Sequence, residues 1–337
     1  MTSKLITVIS PAWNEAENLP ELIARLRALM DRQKKYEWEV IIAENGSVDN
    51  SWKILLAANQ SDPRIKALKL SRNFMADGGV MAAMRLASGD AIVVMNADLQ
   101  DPPELVDKFL PLWEEGYQIV YGVIQQRDGE HWFKKAASRV FYKLSNYVSK
   151  GVIPQNVTDF RLIDRKVAIG MNRMGENNRF TRGLSVWTGF KVASVPFIRP
   201  ARFAGESKAP FADLVGEAMN GIFSFSYLPL RVASILGFTF GGLSLAFLCW
   251  QFIATFMFGG TWEGYLTMVT SVLLLFSLTL FCLGIIGEYV GKIFEEVKQR
   301  PNFIIHDEIG LNDVTDSERY DHRNSLGRSA RDMDVRN

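Results

Sequence analysis

The stretch VVMNADLQDPPE, residues 93–104, ends an apolar run in a crowd of polar groups: Asn96, Asp98, Gln100 and Asp101, followed by Pro102 and Pro103. Carboxylates gathered at the end of a strand suit a divalent cation, because hard Mg²⁺ or Mn²⁺ prefers oxygen ligands. A first aspartate is expected at position 96, where the chain carries Asn96. The residues therefore describe either a metal site with one charge removed or a polar turn. Three further polar clusters follow apolar runs in the same way: SPAWNEAEN from Ser10, ENGSVDNS from Glu44 and SRNF from Ser71.

The elements that must position these clusters alternate in type. LITVIS, EVIIAE, IKALKLS, AIVVMN and YQIVYGV have strand character, and residues 17–32, 50–59 and 76–86 have helix character. Such alternation predicts a parallel sheet covered by helices on both faces. Ligands then bind outside the carboxyl ends of the strands. Four polar strand ends on one rim make a nucleotide-type site. Neither GxGxxG nor GxxxxGK[ST] occurs, which excludes the dinucleotide fingerprint and the P-loop.

The 337-residue chain carries a net charge of +1, which gives no pull toward nucleic acid. Cys249 and Cys282 lie in apolar runs and read as small buried hydrophobes outside any disulfide framework. MTSKLITVIS enters a strand pattern directly, without a secretory signal. Residues 232–262 and 264–287 contain no Asp, Glu, Lys or Arg. A bilayer core needs roughly 20 apolar residues per helix, so a two-span hairpin turning at GGTWEG is predicted. Arg231, Lys292, Lys298 and Arg300 flank its outer ends and the turn has no base, which places both chain ends in the cytoplasm. Two segments have amphipathic helical patterns suited to a membrane surface. One has Phe211, Leu214, Val215, Ala218, Met219 and Ile222 on one face; the other sets an apolar stripe from Phe133 to Val148 against Lys134, Lys135, Arg139 and Lys143. The second also suits ordinary packing against the domain.

Seven motifs in order, SPAWNEAENLPELI, ENGSVDNS, LSRNF, MNADLQDPPE, DFRLIDR, RGLSVWTG and RFAGESK, followed by two spans, resemble the polyprenyl-phosphate glycosyltransferases of glycosyltransferase family 2. That group includes dolichyl-phosphate mannosyltransferases and undecaprenyl-phosphate glucosyltransferases. The match runs from about Leu5 to Pro301. It implies an α/β GT-A domain with a mostly parallel sheet over residues 1–208 and an amphipathic juxtamembrane helix over 209–228. Spans follow over 229–258 and 265–293, and a mobile polar tail over 301–337. It also implies an enzyme of the inner, cytoplasmic membrane with its catalytic domain and termini in the cytoplasm. The reaction is inverting sugar transfer from a nucleotide-sugar donor, a UDP-sugar first, to polyprenyl (undecaprenyl) phosphate. Membrane lipids and further copies of the chain are its expected partners.

By the same resemblance Asp98 and Gln100 bind Mg²⁺ or Mn²⁺. Pro11, Asn14, Glu15, Glu44, Asn45, Ser47, Arg72, Asn96, Ala97 and Asp98 line the donor site. Asp159 sits near the reacting centre as base or orienting group, with Arg127 and Arg202 beside it. Arg127, Arg182, Arg202 and Lys208 are candidates for the acceptor phosphate, since a guanidinium fork matches phosphate oxygens. Glu176, Asn177 and Arg179 are candidates for the sugar. Asp98 also suits a helix cap before PPELV, and Asp159 a strand carboxylate paired with Arg161 or Arg165.

Two departures fall on the donor side. ENGS replaces the usual Asp-Asp-Gly-Ser, so Asn45 both accepts and donates where an acid only accepts. Asn96 removes one negative charge beside a diphosphate. Together they imply altered donor preference, with CDP- or GDP-sugars as alternatives, or a non-catalytic sugar-nucleotide sensor. A processive synthase would need Q-x-x-R-W and more spans; RGLSVW and one hairpin argue against it.

Overall fold

The apolar runs become strands buried on both faces, as parallel strands between helical layers require. A computed structural model describes residues 3–125, 157–174, 181–200, 203, 228–258 and 264–311. Its strands are β1 (Leu5–Ala12), β2 (Glu37–Glu44), β3 (Ile65–Leu70), β4 (Ala91–Val94), β5 (Ile119–Ile124), β6 (Val157–Asp164), β7 (Val192–Phe197) and β8 (Ile305–Ile309). They form one sheet in the order β7-β5-β6-β4-β1-β2-β3-β8. The helices of this unit are α1 (Leu19–Arg32), α2 (Ser51–Ser61), α3 (Met75–Leu86), α4 (Val106–Glu114), α5 (Arg165–Arg173) and α6 (Thr181–Trp187). In α1, Leu19, Leu22, Ile23, Leu26, Leu29 and Met30 make the buried stripe at helical spacing.

Strands β1 to β4 are mutually parallel around β1, so the loops after them share one rim. β6 enters antiparallel between β4 and β5, placing Arg161 opposite both Val94 and Tyr121. The sheet is thus mixed, with its parallel part under the donor-side motifs. Each of the four parallel-strand loops carries a left-handed residue: Asn14, Gly46, Met75 and Leu99. Three of them are not glycine, and such backbone collects where a loop is held for a ligand.

The expectation of a mobile tail is corrected for its first residues, 301–311. β8 pairs antiparallel with β3, matching Leu70 with Ile305 and Lys69 with Asp307. Phe303 is buried at 1% exposure, and Ser71 N–H donates to Ile304 O at 3.0 Å or less (2.9 Å). The open edge of β3 takes a strand, because unpaired backbone N–H and C=O groups favour any segment able to satisfy them. Residues 312–337 lie outside the described residues.

The second compact unit, Gly216–Lys298, contains α7 (Leu228–Phe258) and α8 (Tyr265–Lys298). Both helices are long and apolar enough to cross a membrane. α8 runs past the expected limit of 293 because Lys292, Glu295, Glu296 and Lys298 continue the helix at pairing distances along it. Cys249 is exposed on its helix, contrary to its expected burial; Cys282 donates weakly to Ala233 O at 3.7 Å.

Candidate active site

The loops after β1 and β2 are laced together by the residues expected to bind donor. Asn14 N–H donates to Ser47 Oγ at 2.9 Å, and Val48 N–H donates to Asn14 Oδ1 at 2.9 Å. Glu15 is buried at the start of α1, bonded by Asn18 Nδ2, with its own N–H on Ser51 Oγ at 3.2 Å. These three side chains build the loops. The acids and amide beneath them are less satisfied. Glu44 is fully buried and accepts from Ser47 N–H through Oε1, while Oε2 has no protein partner. Asn45 is 2% exposed, its N–H donates to Ala12 O at 2.8 Å, and its Oδ1 has no protein partner.

Gly79 explains how α3 closes on this pocket. A Cβ there would stand 2.8 Å from Asn45 Nδ2 and 3.0 Å from Pro11 Cβ. Gly46 does the same for the β3 loop, where a Cβ would meet the Arg72 backbone at 2.9 Å. Arg72 itself is exposed and stacks on the Phe74 ring at 4.0 Å.

After β4 the ladder ends with Met95 N–H on Ile9 O, which frees Asn96 to Asp101 to form a loop. Gln100 N–H donates to Asp98 Oδ1 at 3.2 Å, Asn96 N–H donates to Asp101 Oδ2 at 3.0 Å, and Ala97 is buried between them in sequence. Asp101 has no exposure and its Oδ1 has no protein partner. Burial pushes its carboxyl up to about 6; the Asn96 N–H and Arg199 oppose that, and the charges of Asp98 and Asp159 reinforce it.

Asp159 stands at the centre of the second cluster. Arg182 grips it in a fork, Nε to Oδ1 at 3.0 Å and Nη2 to Oδ2 at 2.8 Å. Arg161 Nη1 lies 3.8 Å from Oδ1 and donates to the Asp159 carbonyl at 3.1 Å. Burial opposes ionisation of Asp159, but Arg182, Arg161 and Arg199 together outweigh it and hold the carboxyl below the ordinary range. On the α3 side Asp77 accepts from Thr181 Oγ1 at 2.6 Å. Burial raises Asp77 to about 6 against that bond; Asp159 raises it further, and Arg161 and Arg182 lower it. Tyr121 and Ser185 share a 2.6 Å hydrogen bond beneath the cluster.

The sequence offered Asp98, Asp101, Asp159 and Arg182 as candidates, and the structure brings them into one charged region; Asp77 and Arg199 were not among the candidates. The glycine pair after Asp77 was the available signal, since Gly78 and Gly79 mark a helix packed closely on something. Asp159 is paired with Arg182 rather than with Arg165, whose guanidinium instead reaches Ala87 O. Arg127, Arg202, Lys208, Glu176, Asn177, Arg179 and both amphipathic segments lie outside the described residues.

Among the described residues no group of three His, Cys, Asp or Glu forms a complete cage. Asp98 and Gln100 beside the orphaned Asp101 oxygen fit a hard cation shared with phosphate oxygens rather than one enclosed by protein.

The sequence profile of glycosyl transferase family 2 matches residues 7–170, and that of the GtrB C-terminal hairpin matches residues 228–293. An uncharacterised glycosyltransferase of Synechocystis sp. is 39% identical over 306 residues, covering 91% of this chain and 96% of that protein. The chain belongs to glycosyl transferase family 2. A second uncharacterised glycosyltransferase, YkcC of Bacillus subtilis, is 39% identical over 90% of this chain and 94% of its own length. The prophage-derived bactoprenol glucosyl transferase of Shigella flexneri is 35% identical over 89% of this chain and 97% of its own. Among solved structures, glucosyl-3-phosphoglycerate synthase from Mycobacterium tuberculosis, in complex with Mn²⁺, UDP and glucosyl-3-phosphoglycerate, is 19% identical with a TM-score of 0.48, covering 65% of this chain and 78% of that one. In this family-2 chain the GT-A arrangement, a mostly parallel sheet with its polar loops on one rim, is joined to a C-terminal pair of apolar helices.

Proposed function

We propose that the chain transfers a sugar from a nucleotide-sugar donor to the phosphate of a polyprenyl phosphate such as bactoprenol phosphate, at a membrane, with inversion at the anomeric carbon. One observation carries this: an anionic Asp159, forked by Arg182 and backed by Arg161, stands within electrostatic reach of the Asp98–Asp101 loop at the parallel-strand rim. The 35% relative named as a bactoprenol glucosyl transferase supports the acceptor class.

An acceptor-phosphate oxygen attacks the anomeric carbon from the face opposite the nucleotide. The new C–O bond forms as the bond to the diphosphate breaks, and the nucleoside diphosphate leaves with the electron pair. A lipid phosphate has its second pKa near 6 and is largely a dianion at neutral pH, so proton removal is a minor demand. Asp159, held below the ordinary carboxylate range, is a weak base. Its role is to orient the arginines that place the attacking oxygen in line, the larger source of rate here. Asp98 and Gln100 would hold Mg²⁺ or Mn²⁺, which supplies charge neutralisation for the departing diphosphate. Glu44 and Asn45, with unsatisfied acceptors, face the donor's base, for which UDP is the first candidate. α7 and α8 cross the inner membrane as a hairpin with the catalytic unit and both termini in the cytoplasm, as Arg231, Lys298 and Arg300 at its ends favour.

The test is transfer of labelled sugar to undecaprenyl phosphate by the purified full chain in lipid, with UDP-, GDP- and CDP-sugars and either cation. Labelling of the lipid from one donor, lost on Asp98→Ala, is the expected result. No labelling across the panel by folded protein defeats the proposal. Recovery of turnover in an Asn45→Asp/Asn96→Asp double variant would then identify a sugar-nucleotide sensor.

A further inference from the structure

The two arginines on Asp159 differ in what can reach them. Arg161 is fully buried at the centre of the sheet, with Val94 and Tyr121 as its register neighbours on either side. Its Nη1 is committed to Asp159, and its Nε and Nη2 meet no acceptor among the described residues. A guanidinium enclosed in this way cannot leave and cannot meet a ligand from solution. Arg182 is the opposite case. It comes from α6, its side chain is 22% exposed, and the carboxylate it grips is 42% exposed. The outer half of the pair is open to the rim while the inner half is sealed.

We propose that Arg161 and Arg182 divide the service of Asp159: Arg161 is its fixed counter-ion, and Arg182 is an exchangeable one that the incoming acceptor phosphate takes over. This rests on the reading of the site as a polyprenyl-phosphate glycosyltransferase. A carboxylate and a phosphate compete for the same planar fork, since both accept its two parallel N–H groups. When phosphate draws Arg182 away, Asp159 is left with Arg161 and remains charged and in place. Without Arg161 the exchange would strand a half-buried carboxylate. Arg161 is therefore a positioning residue acting through Asp159, and Arg182 is an acceptor-site residue held in reserve. Thr181 Oγ1 donates to Asp77 at the start of α6, which anchors the helix that carries Arg182.

The experiment measures binding of a short-chain polyprenyl phosphate to the full chain in lipid nanodiscs, together with steady-state transfer. If Asp159 competes with phosphate for Arg182, Asp159→Asn binds the acceptor about tenfold more tightly than wild type while losing transfer. That gain disappears in Asp159→Asn/Arg182→Ala, which separates release of Arg182 from a general loss of negative charge. Arg182→Ala raises the acceptor KM at least tenfold with the donor KM within twofold. Arg161→Lys lowers kcat at least tenfold with acceptor KM within about threefold, and recovers more kcat than Arg161→Met. Equal acceptor affinity in wild type and Asp159→Asn, or a gain that persists in the double variant, overturns the exchange. Full transfer by Asp159→Asn overturns the role given to Asp159 and with it the exchange, while leaving the transferase reading standing; no acceptor binding by wild type overturns the underlying reading as well. The binding cycle needs no Arg161 variant and so stands even if those fail to fold.

Discussion

Two charged regions of the catalytic unit, built from the same residue types, behave in opposite ways. Along the seam between α1 and the segment from Glu104 to Glu114, every acid meets its own donor. Arg25 forks Glu104, Arg32 and Gln33 share Asp107, and Lys35 and Tyr36 share Glu114. On the strand-end rim the polar groups are incompletely met: Asp101 and Asp77 are pushed up to about 6, and Glu44 and Asn45 keep unsatisfied atoms. Unsatisfied buried polar groups cost about 1–3 kcal/mol each, so a fold does not accumulate them without a use. The seam stabilises the fold modestly; the rim is arranged for something that arrives later.

The sharpest way to break this contrast is Asp159→Asn. Loss of the orienting carboxylate is expected to lower transfer about 10³-fold, on the order of 4 kcal/mol of transition-state stabilisation. Circular dichroism and thermal unfolding should show the fold retained, since the substituted side chain is half open at the rim. Near-normal transfer would place the rim's charges in the same class as those of the seam.

A smaller effect separates local from long-range support. The seam joins neighbours across one helical layer, whereas the rim loop after β3 is held by residues beyond the hairpin, through Ser71 N–H on Ile304 O. Phe303 anchors that segment at 1% exposure. Phe303→Ala is expected to destabilise the catalytic unit by about 3 kcal/mol, the low end for a buried phenylalanine because the site lies near the sheet edge. Chemical denaturation of the full chain checks it. An unchanged midpoint would mean that β8 is a detachable tail.

What was legible in the sequence follows the same division. Strands β1 to β5 announced themselves because parallel strands buried on both faces are continuous apolar runs. The hairpin was legible for the equivalent reason, an uninterrupted apolar length. β6 was hidden because VTDFRLID carries Asp159, Arg161 and Asp164, and a buried arginine on a central strand runs against the usual pattern. β8 was hidden because Ile-His-Asp-Glu-Ile is an edge strand, whose stability comes from the backbone of β3 rather than from its own side chains. The metal-side motif and Asp159 were visible by type. Asp77 was not, because its importance lies in burial and in a partner distant along the chain, Thr181.

The next test uses pH to sharpen the contrast on the rim itself. Asp77 has its folded pKa raised from 3.8 to about 6, chiefly by burial. Between those values the folded protein binds more protons than the unfolded chain, so stability falls as pH rises through the window and stays lower above it. Asp77→Asn keeps an oxygen for Thr181 and removes the charge. It is expected to be more stable than wild type by about 1–2 kcal/mol at pH 7.5, discounted for partial exposure, with the difference gone by pH 4. A variant less stable than wild type at pH 7.5 would mean that the Asp77 charge holds Arg161 more than burial penalises it.

The smallest effect is expected on the seam, and its sign is opposite. Glu114 is lowered by its hydrogen bonds from Lys35 and Tyr36, so its contribution is present above the ordinary glutamate range and is lost as pH falls through the lowered value. The Lys35 side chain is 65% exposed, and its bond to Glu114 is screened by solvent. Lys35→Met should therefore destabilise by no more than about 0.5 kcal/mol at pH 7 and low salt, with the difference shrinking in high salt and in acid. Tyr36 still donates to Glu114 in that variant, which keeps the carboxylate satisfied. The rim offers no such substitute to Arg161. A loss of several kcal/mol from Lys35→Met would remove the distinction, because it would make an exposed, fully paired charge as consequential as a buried and partly unpaired one.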